Sequence, residues 1–247
     1  MKILKEQHHS PMFLPTALLG KMRLVCTVMV YFDLDDPESP LPDKDMWPQV
    51  MKLLPQPPVL DPGLPKPRAE VLLAGKCFAP DGKARQAAQV SLTVGGRQKN
   101  LNVFGDRRWT MAGGTAVGIS DPAPFTEMPL TWERAFGGAA DARNPKGRGL
   151  PAKPDEAPGE LPNVEYPGQL IGSPKDAPEP ASFLPRDVMH PERQKKAGTY
   201  DDAWKTQRWP YYPDDLDPEF FLNGPQDQWA QDFFTGGETI EIVLSLR

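Results

Sequence analysis

Val90-Ser91-Leu92-Thr93-Val94-Gly95-Gly96-Arg97-Gln98-Lys99-Asn100-Leu101-Asn102-Val103 is the stretch that sets the fold class. Val90, Leu92 and Val94 alternate with polar residues, and Leu101 and Val103 resume the alternation. A period of two sends successive side chains to opposite faces of a strand. Gly95-Gly96 fills the two central positions of a tight hairpin turn, which demands backbone conformations glycine adopts without cost. The stretch predicts an antiparallel hairpin with one apolar face.

Further strand signals flank it. Residues 22–32 are apolar on both alternating faces and rich in β-branched and aromatic types, which fits a strand covered on both sides. Residues 70–79 form a second such run. At the far end Thr239, Glu241, Val243 and Ser245 alternate with Ile240, Ile242, Leu244 and Leu246. That last strand, 239–246, is a candidate sheet edge, available to an extended partner segment.

Proline makes up 31 of 247 residues, well over twice the usual share of about 5%. It removes a backbone donor and blocks helix interiors, so long helices are excluded over much of the chain. Ten prolines fall in residues 37–67 and ten more in 151–191. Met46, Trp47, Val50, Met51, Leu53 and Leu54 in the first stretch, and Leu161, Val164, Leu170, Ile171, Phe183 and Leu184 in the second, give too much apolar surface for solvated linkers. They read as ordered loops wrapping a β core, with 151–160 and 173–180 the best places for mobility. Asp217-Pro218 supplies a cap and a first-turn proline, which predicts a short helix over 218–222. Residues 225–234 suit another.

The expected architecture is mainly β: a β-sandwich or distorted barrel with long proline-rich loops and a few short helices. Residues 1–247 are expected to form a single domain, with room for two β subregions on either side of a corner at Trp132–Gly138.

Several function classes lose support at this level. The 33 acids against 28 Lys and Arg give a net charge of -5, which argues against sequence-independent nucleic-acid binding. No span reaches the roughly 18 apolar residues of a membrane helix. Met12–Leu19 is interrupted by Pro15 and lacks a cleavage signature, so it reads as mature fold, and the cytoplasm is the expected compartment. Cys26 and Cys77 sit in apolar runs and read as reduced core thiols. His8-His9 reads as a solvated pair near the N-terminus, and His190 as a loop residue before Pro191. No metal-ligand spacing, nucleophile elbow or phosphate loop is present, and Gly113-Gly114 and Gly236-Gly237 read as turns. No cofactor, metal or catalytic residue is expected.

The strongest enzymatic alternative is a carbohydrate-active enzyme or lectin-like module. Glu133, Glu165, Asp201 and Asp202 lie beside Trp132, Tyr166, Tyr200 and Trp204, the residue types a glycoside site uses. Against it, Glu133 is followed by Arg134 and Asp106 by Arg107-Arg108, and acids with such neighbours are more often structural ion pairs.

Met128-Pro129-Leu130-Thr131-Trp132-Glu133-Arg134-Ala135-Phe136-Gly137-Gly138 has neither helix nor strand periodicity. Trp, Glu and Arg are costly to bury unless each polar group finds a partner, so the run predicts a hydrogen-bonded corner. Asn144-Pro145-Lys146-Gly147-Arg148-Gly149, Leu161–Glu165, Gly198-Thr199-Tyr200-Asp201, Phe220–Asn223 and Val103–Arg107 accompany it in order. Over about residues 20–247 this set resembles a bacterial family first catalogued as a domain of unknown function and associated with type VI secretion. Lys76-Cys77 and Leu216 depart from that family's usual residues. The resemblance implies a non-enzymatic adaptor or chaperone. Such a protein would bind a toxin effector by its N-terminal segment and help load it onto the VgrG spike or the PAAR-repeat tip, without nucleic-acid or membrane partners. It marks no active site.

Aromatics and arginines serve both as loop pins and as binding hot spots. Trp132, Glu133, Arg134, Phe136, Tyr200, Asp201, Trp204 and Arg208 are read as structural pins. Trp209, Tyr211 and Tyr212, in a Trp-Pro-Tyr-Tyr-Pro string unable to form regular structure, are the candidate protein-binding residues.

Overall fold

A computed structural model describes residues 66–150 and 159–230, together with the backbones of three further strands at 12–18, 21–27 and 240–243. In chain order the elements begin with β1 (Met12–Leu18), β2 (Lys21–Thr27), β3 (Ala69–Glu70), β4 (Lys76–Phe78), β5 (Ala87–Val94) and β6 (Arg97–Phe104). They continue with β7 (Trp109–Ala112), β8 (Thr115–Ile119), β9 (Glu127–Pro129), β10 (Phe136–Gly137), β11 (Arg148–Gly149) and β12 (Val164–Glu165). Two short α-helices follow, α1 (Pro191–Gln194) and α2 (Asp202–Gln207), then 3-10 turns at Pro218–Phe221 and Gln226–Gln228, and finally β13 (Trp229–Ala230) and β14 (Ile240–Val243). The protein is mainly β.

The predicted hairpin is the centre of the largest sheet. β5 and β6 pair antiparallel from Ala87↔Phe104 to Val94↔Arg97. Gly95 and Gly96 turn the chain at φ 54° and 78°, the double positive-φ geometry of a two-residue hairpin. β12 joins on one side and β14 on the other, in the order β12-β6-β5-β14. The predicted C-terminal strand therefore lies at one end of this sheet order, paired with β5 from Ile240↔Val94 to Val243↔Ser91. Val90, Leu92, Val94, Leu101 and Val103 point into a core that also holds Cys77, Met128, Leu130 and Phe183. Each fully buried side chain of this size contributes about 1.5–3 kcal/mol.

The remaining strands form two-stranded pairs: β1-β2, β3-β13, β4-β9, β7-β8 and β10-β11. No closed barrel forms among the described residues. Many strands are only two to four residues long, and the chain leaves each ladder before it can be extended. The 70–79 run shows how. It divides into β3 and β4 because its backbone changes partner: Val71 N donates to Gln228 O at 3.2 Å and Leu73 N to Phe183 O at 3.2 Å. Of the 22–32 run, β2 accounts for the first part, and residues 28–32 lie outside the described residues.

Two compact units divide the chain, one comprising Met1–Pro67 with Asp187–Asn223, the other Arg68–Arg186 with Gly224–Arg247. The described strands from β3 to β14 belong to the second. The described part of the second proline-dense loop packs against the core through Leu161, Val164, Ile171 and Phe183, which are buried as expected, whereas Leu184 is half-buried and Leu170 is exposed. Residues 151–158 lie outside the described set. At 173–180 the Asp176 carboxylate accepts from Gly172 N and Ser173 N and folds the chain into a turn.

Asp217 caps the turn at Pro218–Phe221, accepting from Glu219 N at 2.9 Å. The helix expected over 225–234 is a single turn followed by β13, because the chain is drawn into pairing with β3. The remainder of 225–234 lies outside the described residues. Cys77 is a buried core thiol, whereas the Cys26 side chain, His8-His9 and Gly236-Gly237 are outside the described set. His190 is no bare loop residue: its Nδ1 accepts from Glu192 N and caps α1. Gly113-Gly114 forms the turn between β7 and β8. Among the described residues no helix is long and apolar enough to cross a membrane.

Candidate functional site

The corner is built from the inside out. Trp132–Arg134 make one 3-10 turn. The Trp132 ring is buried, its Nε1 donates to Pro185 O at 3.0 Å, and the Arg186 guanidinium lies 5.2 Å from its centroid. Phe136 packs with Trp109, Leu161 and Ile171 in a second apolar cluster. Asn144, itself buried, donates through Nδ2 to Trp132 O at 2.8 Å and Phe136 O at 2.9 Å. Its carbonyl accepts from Gly138 N and Gly147 N. Gly137 is required here: it sits at φ 149°, and a Cβ would lie 2.2 Å from Asn144 O. Thus Gly137-Gly138 and the Asn144–Gly149 motif are two halves of one corner, joined by the parallel pair β10-β11.

Its charges pair differently from the sequence expectation. Glu133 is exposed, and Arg134 turns instead to Asp106 Oδ1 at 3.0 Å and Asn163 Oδ1 at 3.1 Å. Asn163 donates in turn to Phe104 O and Asp106 Oδ1. Arg107 does not serve Asp106. It forms a buried ion pair with Glu165 and also donates to Pro162 O at 2.6 Å. Burial pushes the Glu165 carboxyl up, opposed by the Arg107 charge and hydrogen bond and by Ile171 N at 3.0 Å. Neither acid-base neighbour pair lies in a strand, Asp106-Arg107 following β6 and Glu133-Arg134 forming a 3-10 turn, and each arginine finds its carboxylate across the fold and not at the next residue. The Glu165 carboxylate is therefore committed to the interior.

A second buried polar centre was not foreseen. Lys99 Nζ, on β6, donates to Ser182 O at 2.7 Å, Gln228 Oε1 at 2.7 Å and Asp227 Oδ1 at 2.9 Å. Tyr166 Oη donates to the other Asp227 oxygen at 2.8 Å. Burial lowers the Lys99 amine to about 8, against the opposing pull of Asp227. The sequence held a signal: Lys99 shares the phase of Leu101 and Val103, the inward face of the strand.

The aromatic string belongs to the first unit. Asp201 Oδ1 accepts from Trp204 N at 2.8 Å and starts α2. Trp204 Nε1 donates to Tyr211 O at 2.8 Å, and Trp204 O accepts from Arg208 N and Trp209 N. Trp204 is thus the pin on which the string turns. Tyr211 is half-buried beneath the Arg208 guanidinium, 5.7 Å from its ring centroid, and Tyr212 packs edge-on against Phe221. Trp209 differs, with 69% of its surface exposed. Tyr200 is 47% exposed and meets Trp204 edge-on at 4.7 Å. Of the three candidate binding residues, Trp209 presents most of its side chain outward, and Tyr200, read as a pin, joins it.

Asp202 is paired with Lys205 on α2 at 2.7 Å, and Asp201 is spent as a cap. Among the described residues no group of three or more His, Cys, Asp and Glu side chains is placed to hold a metal ion. What the surface offers is apolar and hydrogen-bonding contact, with the Tyr200 phenol and the Trp209 indole at either end of the capped helix α2.

Searches for related proteins found no match among curated proteins or among solved structures. The model of a family described as an uncharacterized protein conserved in bacteria (DUF2169) does match, over residues 19–245, and the chain belongs to that family.

Proposed function

We propose that this protein is a non-enzymatic adaptor, working in the cytoplasm, that binds a toxin effector and helps load it onto the VgrG spike or PAAR-repeat tip of a type VI secretion system. The family resemblance motivates the secretion context. The observation that carries the binding role is Trp209, 69% exposed on a turn pinned by Trp204. A large, rigid aromatic left in solvent beside an ordered helix is a typical hot-spot residue, because it buries much area at little conformational cost. β14, at one end of its sheet order, offers a second route, by accepting an extended segment as an added strand.

Co-expression with the effector encoded beside it tests this directly. The protein should co-purify with the effector and raise its soluble yield, and the effector's N-terminal segment alone should suffice. Trp209→Ser should weaken the complex about tenfold or more while the circular dichroism spectrum is kept, as expected for loss of a hot-spot aromatic. Wild-type protein that captures neither effector nor spike would remove the adaptor role. A folded Trp209→Ser variant that binds as well as wild type would remove this surface from it.

A further inference from the structure

We propose, on the footing of the docking role of Trp209, that the segment seated there is basic: an extended stretch of a partner protein bearing Lys or Arg among apolar residues. Between Tyr200 and Asp217 the chain carries Asp201, Asp202, Asp214, Asp215 and Asp217 against Lys205 and Arg208, with Lys196 reaching Asp217 at 3.9 Å from outside the stretch. In the pairs that Lys205 and Arg208 form, the carboxylate is the more exposed member. Arg208 bonds Asp214 at 2.6 Å, with side-chain exposures of 27% and 79% respectively. Lys205 bonds Asp202 at 2.7 Å, with exposures of 62% and 93%. The Arg208–Asp214 pair therefore presents mainly its carboxylate outward, and in the other pair Asp202 projects beyond Lys205.

The exposed rings flank the helix that carries Asp202 and Lys205, Tyr200 two residues before it and Trp209 two residues after it. Trp209 follows Arg208 directly and donates its backbone N–H to Trp204 O at 3.0 Å. Tyr200 stands edge-on to the same Trp204, and the Asp215 charge, after burial, helps hold its hydroxyl above the ordinary tyrosine range. Asp215 is itself fixed by Thr199, accepting from its N at 2.9 Å and its Oγ1 at 2.7 Å. An indole face attracts a guanidinium or ammonium, and a carboxylate nearby adds to that attraction. An acidic segment would meet a net like charge, which selects against it. A neutral apolar segment would gain the ring contact and nothing from the aspartates.

The test uses the whole chain and three fluorescein-labelled peptides in which leucine alternates with lysine, glutamine or glutamate. Fluorescence anisotropy should show the lysine peptide binding about tenfold tighter than the glutamine peptide, with the glutamate peptide weaker still. About 1 M sodium chloride, where the Debye length is about 3 Å, should erase most of that preference. Trp209→Ala should abolish binding of the lysine peptide, and the double change Asp202→Asn with Asp214→Asn should remove the preference while leaving the glutamine peptide unaffected. Both sites are exposed, and circular dichroism checks that the fold is retained. Equal, Trp209-dependent binding of all three peptides would overturn the basic partner and leave the docking surface standing. Binding of none of them, or a preference that survives the double change, would overturn it as well. Effector capture is read separately, so failure of the adaptor role and failure of the charge preference are distinguishable.

Discussion

Two arginines next to the corner look equivalent in sequence and are not. Arg134 meets Asp106, whose side chain is 55% exposed. Arg107 meets Glu165, which is 1% exposed at the side chain. Breaking an exposed pair costs little, because water replaces the partner. Breaking a buried pair leaves a charge with no compensation. Arg134→Ala should therefore lower stability by about 1 kcal/mol, including its bond to Asn163. Arg107→Ala should lower it by about 3–5 kcal/mol. Urea denaturation midpoints of the two variants, compared with wild type, check the order; equal losses would mean that Glu165 finds another donor.

At the scale of elements, α2 is short enough to depend on its first residue. Asp201 supplies the side-chain acceptor at its start, from Trp204 N at 2.8 Å. Asp201→Ala should cost about 1 kcal/mol, the usual loss of a cap, and should loosen the pin that holds Trp209. Acrylamide quenching of tryptophan fluorescence should rise in this variant as Trp204 gains solvent; unchanged quenching would show that the turn holds without the cap. The elements themselves were legible to different degrees. β5 and β6 announce their hairpin because alternation and Gly95-Gly96 are local signals. The Asp217 cap was legible for the same reason. α2 was not anticipated, because Asp202–Gln207 has too few apolar residues to show a helical period. β10 and β11 are two residues each, so no pattern exists to read, and their parallel pairing is made by Asn144 and the glycines around it. The corner was legible as a hydrogen-bonded object. Its pairing was not, because Arg107 and Glu165 are brought together by β6 and β12 from distant parts of the chain.

On the scale of the molecule, Lys99 ties three parts of the second unit together: β6, the loop at Ser182 and the turn at Asp227-Gln228. Its folded value of about 8 lies below the ordinary 10.5. Between these two values the unfolded chain keeps a proton that the folded chain has released. Stability therefore rises with pH across this window, by up to about 3 kcal/mol for a shift of this size. Thermal melts of wild type and Lys99→Met from pH 7 to 10.5 should show the wild type gaining on the variant as pH increases. Parallel curves would mean that Lys99 keeps its proton in the folded state.

One pairing in the large sheet bears on how the molecule is made. β14 lies against β5, although Val94 and Ile240 are separated by more than half the chain. During synthesis the hairpin emerges early and then waits, one backbone edge unfilled, until almost everything else has been translated. Pairings so distant in sequence are slow to close, and an open strand edge in the interval invites the wrong neighbour. Until Ile240–Val243 emerge the β5 edge thus has no β14 to cover it, and a chain truncated before Ile240 should aggregate more readily than the whole protein.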